Sequence, residues 1–170
     1  LSFCVWNASR AEGLPVDHPN EKRRLRSNKY TVPERILMKI DGSCHCGRIS
    51  YEAELDPERV GICHCTDCQT LSGTAFRTIA LVSADTFEIS GEPKIYVKTG
   101  ESGNKRAQAF CPECGSPIYA SAAGDNPRVY NLRLGTVRQR DRLPPKFQVW
   151  CRSAQSWLSG LESVPGKEKQ

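Results

Sequence analysis

The sequence predicts a mainly β domain, antiparallel and stapled by metal, and three observations carry that expectation. Short apolar stretches recur with the two-residue alternation of half-buried strands. Clusters of Gly, Pro, Asp and Ser separate them at turn spacing. Seven of the nine cysteines fall into three tight groups, Cys44/Cys46, Cys63/Cys65/Cys68 and Cys111/Cys114, whose close spacings suit a metal ion better than a disulfide bridge. A chain of 170 residues accommodates one such domain with an appendage and a single core. With 38% apolar residues and a mean hydropathy of -0.51, that core is lean, so metal binding is expected to supply part of the folding free energy.

Residues 1–38 read as an arm: Gly13, Pro15, Pro19 and the charged run Glu21-Lys22-Arg23-Arg24-Leu25-Arg26 show no sustained periodicity, and Cys4 and Trp6 are expected to rest on the domain. Met38, the single methionine, precedes the ordered-looking Lys39-Ile40-Asp41-Gly42-Ser43 and is the expected natural start, with the arm as upstream sequence. In the next strand Ile49, Tyr51, Ala53 and Leu55 alternate with Ser50, Glu52 and Glu54, and Asp56-Pro57 ends it. The segment 59–62 delivers the chain to the cysteine triplet, and residues 66–71 form a helical turn that Ser72-Gly73 breaks. Further strands are expected over 75–82, 86–90, 94–98, 105–110, 117–122, 129–134 and 147–151, with residues 153–158 closing the domain. The domain is placed at 39–160 and a frayed tail at 161–170.

The formal charge of +5 suggests an anionic partner until it is divided by segment. Residues 1–38 hold seven Lys/Arg against four Asp/Glu, leaving seventeen against fifteen for the cysteine-bearing part. That near balance, without a basic stripe interleaved with aromatics, argues against nucleic acid as the partner. No apolar stretch approaches the ~20 residues that span a bilayer, and no signal-peptide pattern opens the sequence. The expected setting is a reducing, cytoplasmic one without membrane contact. The oligomeric state is left open.

Cys111-Pro112-Glu113-Cys114-Gly115 has the form of a zinc knuckle, and Cys44-His45-Cys46-Gly47 is its shorter counterpart. Together the pairs supply four thiolates, enough to close a structural zinc site, with His45 exposed between two ligands. Cys63-His64-Cys65-Thr66-Asp67-Cys68 supplies only three. One reading leaves the fourth position of this second zinc open for chemistry; the other closes it with a distant ligand, Cys151 being the candidate, although strand alternation makes Cys151 a buried thiol. An open three-thiolate zinc favours thiol chemistry, because a substrate thiol entering the fourth position loses its proton and becomes a nucleophile toward a small carbonyl compound. His64 is expected at the surface or in support of the ligands, and Asp67 in the turn or capping the helix.

These motifs, with Ser72-Gly73-Thr74-Ala75-Phe76 and Leu134-Gly135-Thr136, resemble the glutathione-dependent formaldehyde-activating enzyme family over residues 39–158. The resemblance implies an Mss4-like β fold, a structural zinc on Cys44, Cys46, Cys111 and Cys114, and a second zinc on Cys63, Cys65 and Cys68 that serves catalysis. It implies a carbon–sulfur lyase joining formaldehyde and glutathione as S-hydroxymethylglutathione. The family often carries histidine where this chain has Gln148, a departure that bears on the substrate. Arg77 or Arg133 is expected to neutralise substrate carboxylates. Two other classes stand beside the lyase: a non-catalytic zinc module that binds glutathione or another thiol, and a scaffold for a macromolecular partner.

Overall fold

A computed structural model of the chain describes residues 36–101 and 103–169. The arm, Cys4, Trp6 and the basic run lie outside the described residues, except for positions 36–38. Residues Ile36–Gln170 form one compact unit.

Ten strands, one α-helix and several 3-10 turns make up the described residues. The strands are β1 (Met38–Ser43), β2 (Ser50–Leu55), β3 (Val60–Cys63), β4 (Arg77–Ser83), β5 (Glu88–Ser90), β6 (Lys94–Thr99), β7 (Lys105–Phe110), β8 (Pro117–Ala122), β9 (Val129–Arg133) and β10 (Phe147–Val149); the helix α1 spans Thr66–Ser72. They build a three-stranded sheet of order β1-β2-β5 and a seven-stranded sheet of order β10-β3-β4-β9-β8-β7-β6.

The mainly β expectation holds, with one correction of direction. Every pairing is antiparallel except β10 with β3, which is parallel. The chain between β9 and β10 crosses over through 3-10 turns at Leu134–Thr136 and Arg140–Arg142, so β10 enters the sheet edge running the same way as β3. A hairpin reverses direction; a crossover need not. As a result Val149 lies opposite Cys63, and the end of β10 is delivered to the cysteine triplet.

The core joins both sheets. Ile40, Tyr51, Ala53 and Leu55 of the smaller sheet are buried in the same cluster as Val60, Ala80, Val82, Ile118 and Leu132 of the larger, so the alternation in β2 identifies its inner face correctly. Phe87, Tyr119 and Tyr130 form an aromatic group at its margin, with centroids 4.6–5.6 Å apart.

Local chemistry accounts for the shifted boundaries. Asp56 ends β2 by accepting from Glu58 N at 3.0 Å, and Pro57 begins a 3-10 turn. The strand expected from 75 begins at Arg77 because the Thr74 hydroxyl donates to Phe76 O and accepts or donates with Ser72 Oγ at 2.9 Å, drawing residues 72–76 into a local loop. The strand expected over 86–90 begins at Glu88, since Ser83 caps a 3-10 turn at Ala84–Thr86. The strand expected over 147–151 ends at Val149, where Trp150 turns to φ 60°. Among the described residues no helix is long and apolar enough to cross a membrane.

Gly42 faces Tyr51 across the β1–β2 ladder, and a Cβ there would overlap the Tyr51 ring and the carbonyl oxygen of Thr136. Overpacking of this kind costs about 1–3 kcal/mol. Gly42→Ala should therefore lower the urea midpoint of the protein, with the slope of the transition unchanged.

Candidate metal centres

The four-sulfur group draws two ligands from each sheet. Cys44 and Cys46 lie in the loop between β1 and β2, and Cys111 and Cys114 in the turn between β7 and β8. Their Sγ atoms lie within 4.8 Å of one another, with Cys44–Cys46 at 3.5 Å and Cys46–Cys111 at 3.7 Å. A tetrahedral zinc with Zn–S bonds of about 2.3 Å sets S···S contacts of about 3.8 Å, so the donor set and its spacing fit the ion. Each knuckle closes on a glycine of positive φ, Gly47 at 80° and Gly115 at 70°, a conformation that a side chain resists. The Ile49 amide donates to Cys44 Sγ at 3.3 Å, partly compensating the charge that four thiolates collect.

Ser116, which motif reading passed over, ties the knuckles together. Its hydroxyl accepts from His45 N at 3.1 Å and hydrogen-bonds Cys114 Sγ at 3.2 Å. That hydrogen bond, with a backbone one from the same residue, draws the Cys114 thiol down to about 5. His45 is exposed, as expected.

The three-sulfur group is Cys63, Cys65 and Cys68, also within 4.8 Å of one another. Cys63 ends β3, between Arg77 of β4 and Val149 of β10, while Cys65 and Cys68 belong to the start of α1. Cys65 rather than Asp67 is the N-cap: its sulfur accepts from Cys68 N at 3.4 Å. Asp67 instead forms an ion pair with Lys98 of β6, tying the helix to the far edge strand. The hydrogen bond from Cys68 draws the Cys63 thiol down to about 5 against the opposing effect of burial, and the same contact pushes Cys68 up. Cys63 and Cys68 thus hold their protons unequally, the condition a dication resolves.

Among the described residues no fourth sulfur joins them. Cys151 is half-buried rather than buried, at the start of a 3-10 turn, and belongs to neither sulfur group. The triplet opens instead onto a cavity of about 280 Å³. Its walls come from β4, β6 to β10 and α1, among them Ile79, Lys98, Arg106, Asn131, Arg133 and Trp150.

His64 is buried at 3% exposure, which removes the surface alternative and leaves the supporting one. Its amide donates to Val149 O at 3.1 Å, and its Nε2 lies 2.7 Å from Gln148 Oε1, so Nε2 carries the proton. Gln148 thus orients the residue between Cys63 and Cys65. Gln69 holds the helix from the other side, donating to His64 O at 2.7 Å and Ser153 O at 2.8 Å.

The two arginines have separate fates. Arg133 lines the triplet cavity at 6% exposure, and its Nη2 donates to Gln108 Oε1 at 2.7 Å. Burial and the neighbouring Arg77 pull its guanidinium down to about 9, with Cys68 and Cys63 opposing. Arg77, 5% exposed, faces a neighbouring hollow with Leu71, Tyr96 and Phe110 rather than the triplet cavity. Its burial lowers its pKa, while Cys68, Cys65 and Cys63 favour its charge. Lys98, Arg106 and Asn131 escaped sequence reading because they carry no motif and come from strands distant in the chain.

Trp150 stands at the cavity wall with φ 60° and ψ 36°, a left-handed conformation that costs a bulky residue about 1–2 kcal/mol. Arg152 lies over its ring at 4.8 Å and donates to Glu101 at 2.6 Å. The two contacts hold the indole in place.

A family model described as glutathione-dependent formaldehyde-activating enzyme matches residues 39–153. No curated protein matches the chain. Among solved structures, a crystal structure of a Rhodobacter sphaeroides protein aligns with 19% identity and a TM-score of 0.49, covering 64% of this chain and 99% of that one.

Ser116→Ala removes the hydrogen bond to Cys114, a change beyond the ligands that typically costs about 10–100-fold in metal affinity. Chelator competition should show that loss for metal held by the four-sulfur group and not for metal held by the three-sulfur group. Protons compete with metal at both groups, and Cys114 and Cys63 have thiols depressed to about 5. Their stabilising charge is present at neutral pH and is lost as pH falls through that range. Metal content measured after dialysis against zinc should fall as pH drops from 7 through 5.

Proposed function

The chain belongs to the glutathione-dependent formaldehyde-activating enzyme family, and from that premise we propose that it is a zinc-dependent carbon–sulfur lyase that joins formaldehyde and glutathione as S-hydroxymethylglutathione and separates them again. The observation that carries this reading is the three-sulfur group on the wall of a cavity, with no fourth protein sulfur beside it among the described residues. In this reading Cys44, Cys46, Cys111 and Cys114 hold a structural zinc, and Cys63, Cys65 and Cys68 hold the second. When bound there, zinc supplies an open coordination position that acidifies an entering thiol and keeps it as a thiolate at neutral pH.

The chain's own residues then have distinct tasks. Cys63 is fixed by the β3–β4 and β3–β10 ladders, whereas Cys65 and Cys68 are fixed by the start of α1, so strand and helix meet at the reacting sulfur. His64 and Gln148 hold the turn that carries the ligands. Arg106 and Arg133 line the cavity and provide positive charge for the carboxylates of glutathione, whereas Arg77, which does not line it, contributes only its field. Val149 and Trp150 shield one side from water. A small electrophile suits the space left beside a bound thiol.

Thiols add to formaldehyde unaided, so turnover must be read against that background. We expect formaldehyde–glutathione exchange by NMR to exceed buffer in zinc-loaded protein and to return to the buffer rate in Cys65→Ala. Equal exchange in all three samples would sink the lyase reading; saturable glutathione binding without turnover would then identify a thiol-binding zinc module.

A further inference from the structure

Arg77 is a buried cation whose donors are unused. It is 5% exposed, yet its side chain makes no hydrogen bond or ion pair with a described residue. Its Nη2 has under 1 Å² of accessible surface and points into the protein, whereas Nε and Nη1 are not sealed in that way. Arg77 stands opposite Cys63 on the β3–β4 ladder, and the triplet sulfurs act on it through their charge and not through hydrogen bonds. Support of the triplet thus uses the charge of Arg77 and leaves its N–H groups over. A guanidinium that has given up most of its hydration without gaining a partner points to a ligand.

Arg77 lines a second hollow, of about 370 Å³, that lies beside the triplet cavity and shares Leu71 and Gln108 with it. The other walls are largely apolar, with Ile95 and Tyr96 of β6, Phe110 of β7 and Pro117 of β8. Ile95 and Tyr96 are about half exposed on the edge strand of the sheet. No acidic residue lines the hollow, and Lys94 stands at its rim as a second cation. Gln108 adds a neutral donor. Its Oε1 accepts from Arg133, and since a guanidinium cannot accept, that contact fixes the amide and leaves Nε2 for another partner.

Charge and hydrogen-bonding sense together select the ligand. Two cations without an acid call for an anion, and walls whose nitrogen groups only donate call for one that only accepts. A phosphate dianion brings more charge and more acceptor oxygens than one buried guanidinium and one rim lysine meet, whereas a carboxylate brings a single charge. The apolar walls call for a body that leaves water with it. We propose that the hollow is a binding site for a monocarboxylic acid with an apolar body, the carboxylate held by Arg77 and the body resting on Leu71, Tyr96 and Phe110. The site is separate from the sulfur-lined cavity in which the thiol is bound, and it does not depend on the lyase reading.

The test is calorimetric titration of metal-loaded full-length protein with hexanoate, acetate and 1-hexanol, with metal content measured for every sample. Hexanoate is expected to bind saturably and more tightly than either of the others, because acetate lacks the apolar body and hexanol the charge. Each methylene buried is worth up to about fourfold in affinity. Arg77→Gln should weaken hexanoate by about tenfold or more, the effect of a hydrogen bond to a charged group, and Arg77→Lys by less. Tyr96→Ala should weaken hexanoate and leave acetate unchanged. Lys94→Glu, a charge reversal on an exposed residue, should weaken both acids.

Wild type that shows no saturable hexanoate binding overturns the proposal, as does hexanol bound as tightly as hexanoate. Hexanoate that glutathione displaces, and that Arg106→Ala weakens while Arg77→Gln and Tyr96→Ala do not, lies in the triplet cavity and also overturns it. If Arg77→Gln sheds metal, the two wall variants decide. Hexanoate affinity unchanged in both Tyr96→Ala and Lys94→Glu overturns the site, and affinity reduced in both at full metal content supports it.

Discussion

Four cysteine sulfurs contributed by two separate sheets converge within 4.8 Å, and the rest of the fold depends on that convergence. One pair hangs from the β1–β2 loop and the other from the β7–β8 turn, so an ion held between them fastens the small sheet onto the large one. Structural zinc contributes about 10–16 kcal/mol in zinc-finger peptides, comparable to the whole stability of an ordinary domain, and a metal held by these four sulfurs would act in the same way. The lean composition is intelligible in that light. Ser116 binds to a backbone amide of one knuckle and a sulfur of the other, so even the hydrogen bonding around the clamp is shared between the sheets.

With the sheets fastened, the larger one can serve as a platform. Its strands β4, β9, β8, β7 and β6 lie side by side and line one cavity, β6, β7 and β9 with polar residues and β4 and β8 with Ile79 and Ala120, while β3 and α1 supply the triplet at the rim. The parallel β10 is the departure from antiparallel order that makes this possible. Running with β3, it sets Val149 beside Cys63 and leaves Trp150 at the turn out of the sheet. A strained tryptophan there is expensive for the backbone, and its stacking with Arg152 offsets that cost at the place where solvent must be excluded.

The electrostatics of the cavity have a similar logic. Arg77 and Arg133 are buried, which disfavours their charge, while the triplet sulfurs favour it. The positive field that two buried arginines impose is what a cluster of thiolates needs. Arg133 has one guanidinium nitrogen engaged by Gln108 and another without a partner. Structural and chemical demands therefore meet on a single side chain.

Much of this was legible in the sequence, because metal ligation and strand alternation are local. The spacing of Cys44, Cys46, Cys111 and Cys114 marked the clamp, the triplet marked itself as one ligand short, and Ile49 to Leu55 marked their buried face. What the sequence could not contain was the company these residues keep. Asp67 finds Lys98 and His64 finds Gln148, while Asn131 and Arg133 reach a cavity built from strands dispersed between positions 60 and 149. Ligand identity is written in short-range spacing, which one turn of backbone enforces; the lining of a cavity is set by register across a sheet, where neighbours in space are strangers in sequence. Local spacing was enough for the cysteine groups and the β character, and register across the sheets chose which side chains surround the three open sulfurs.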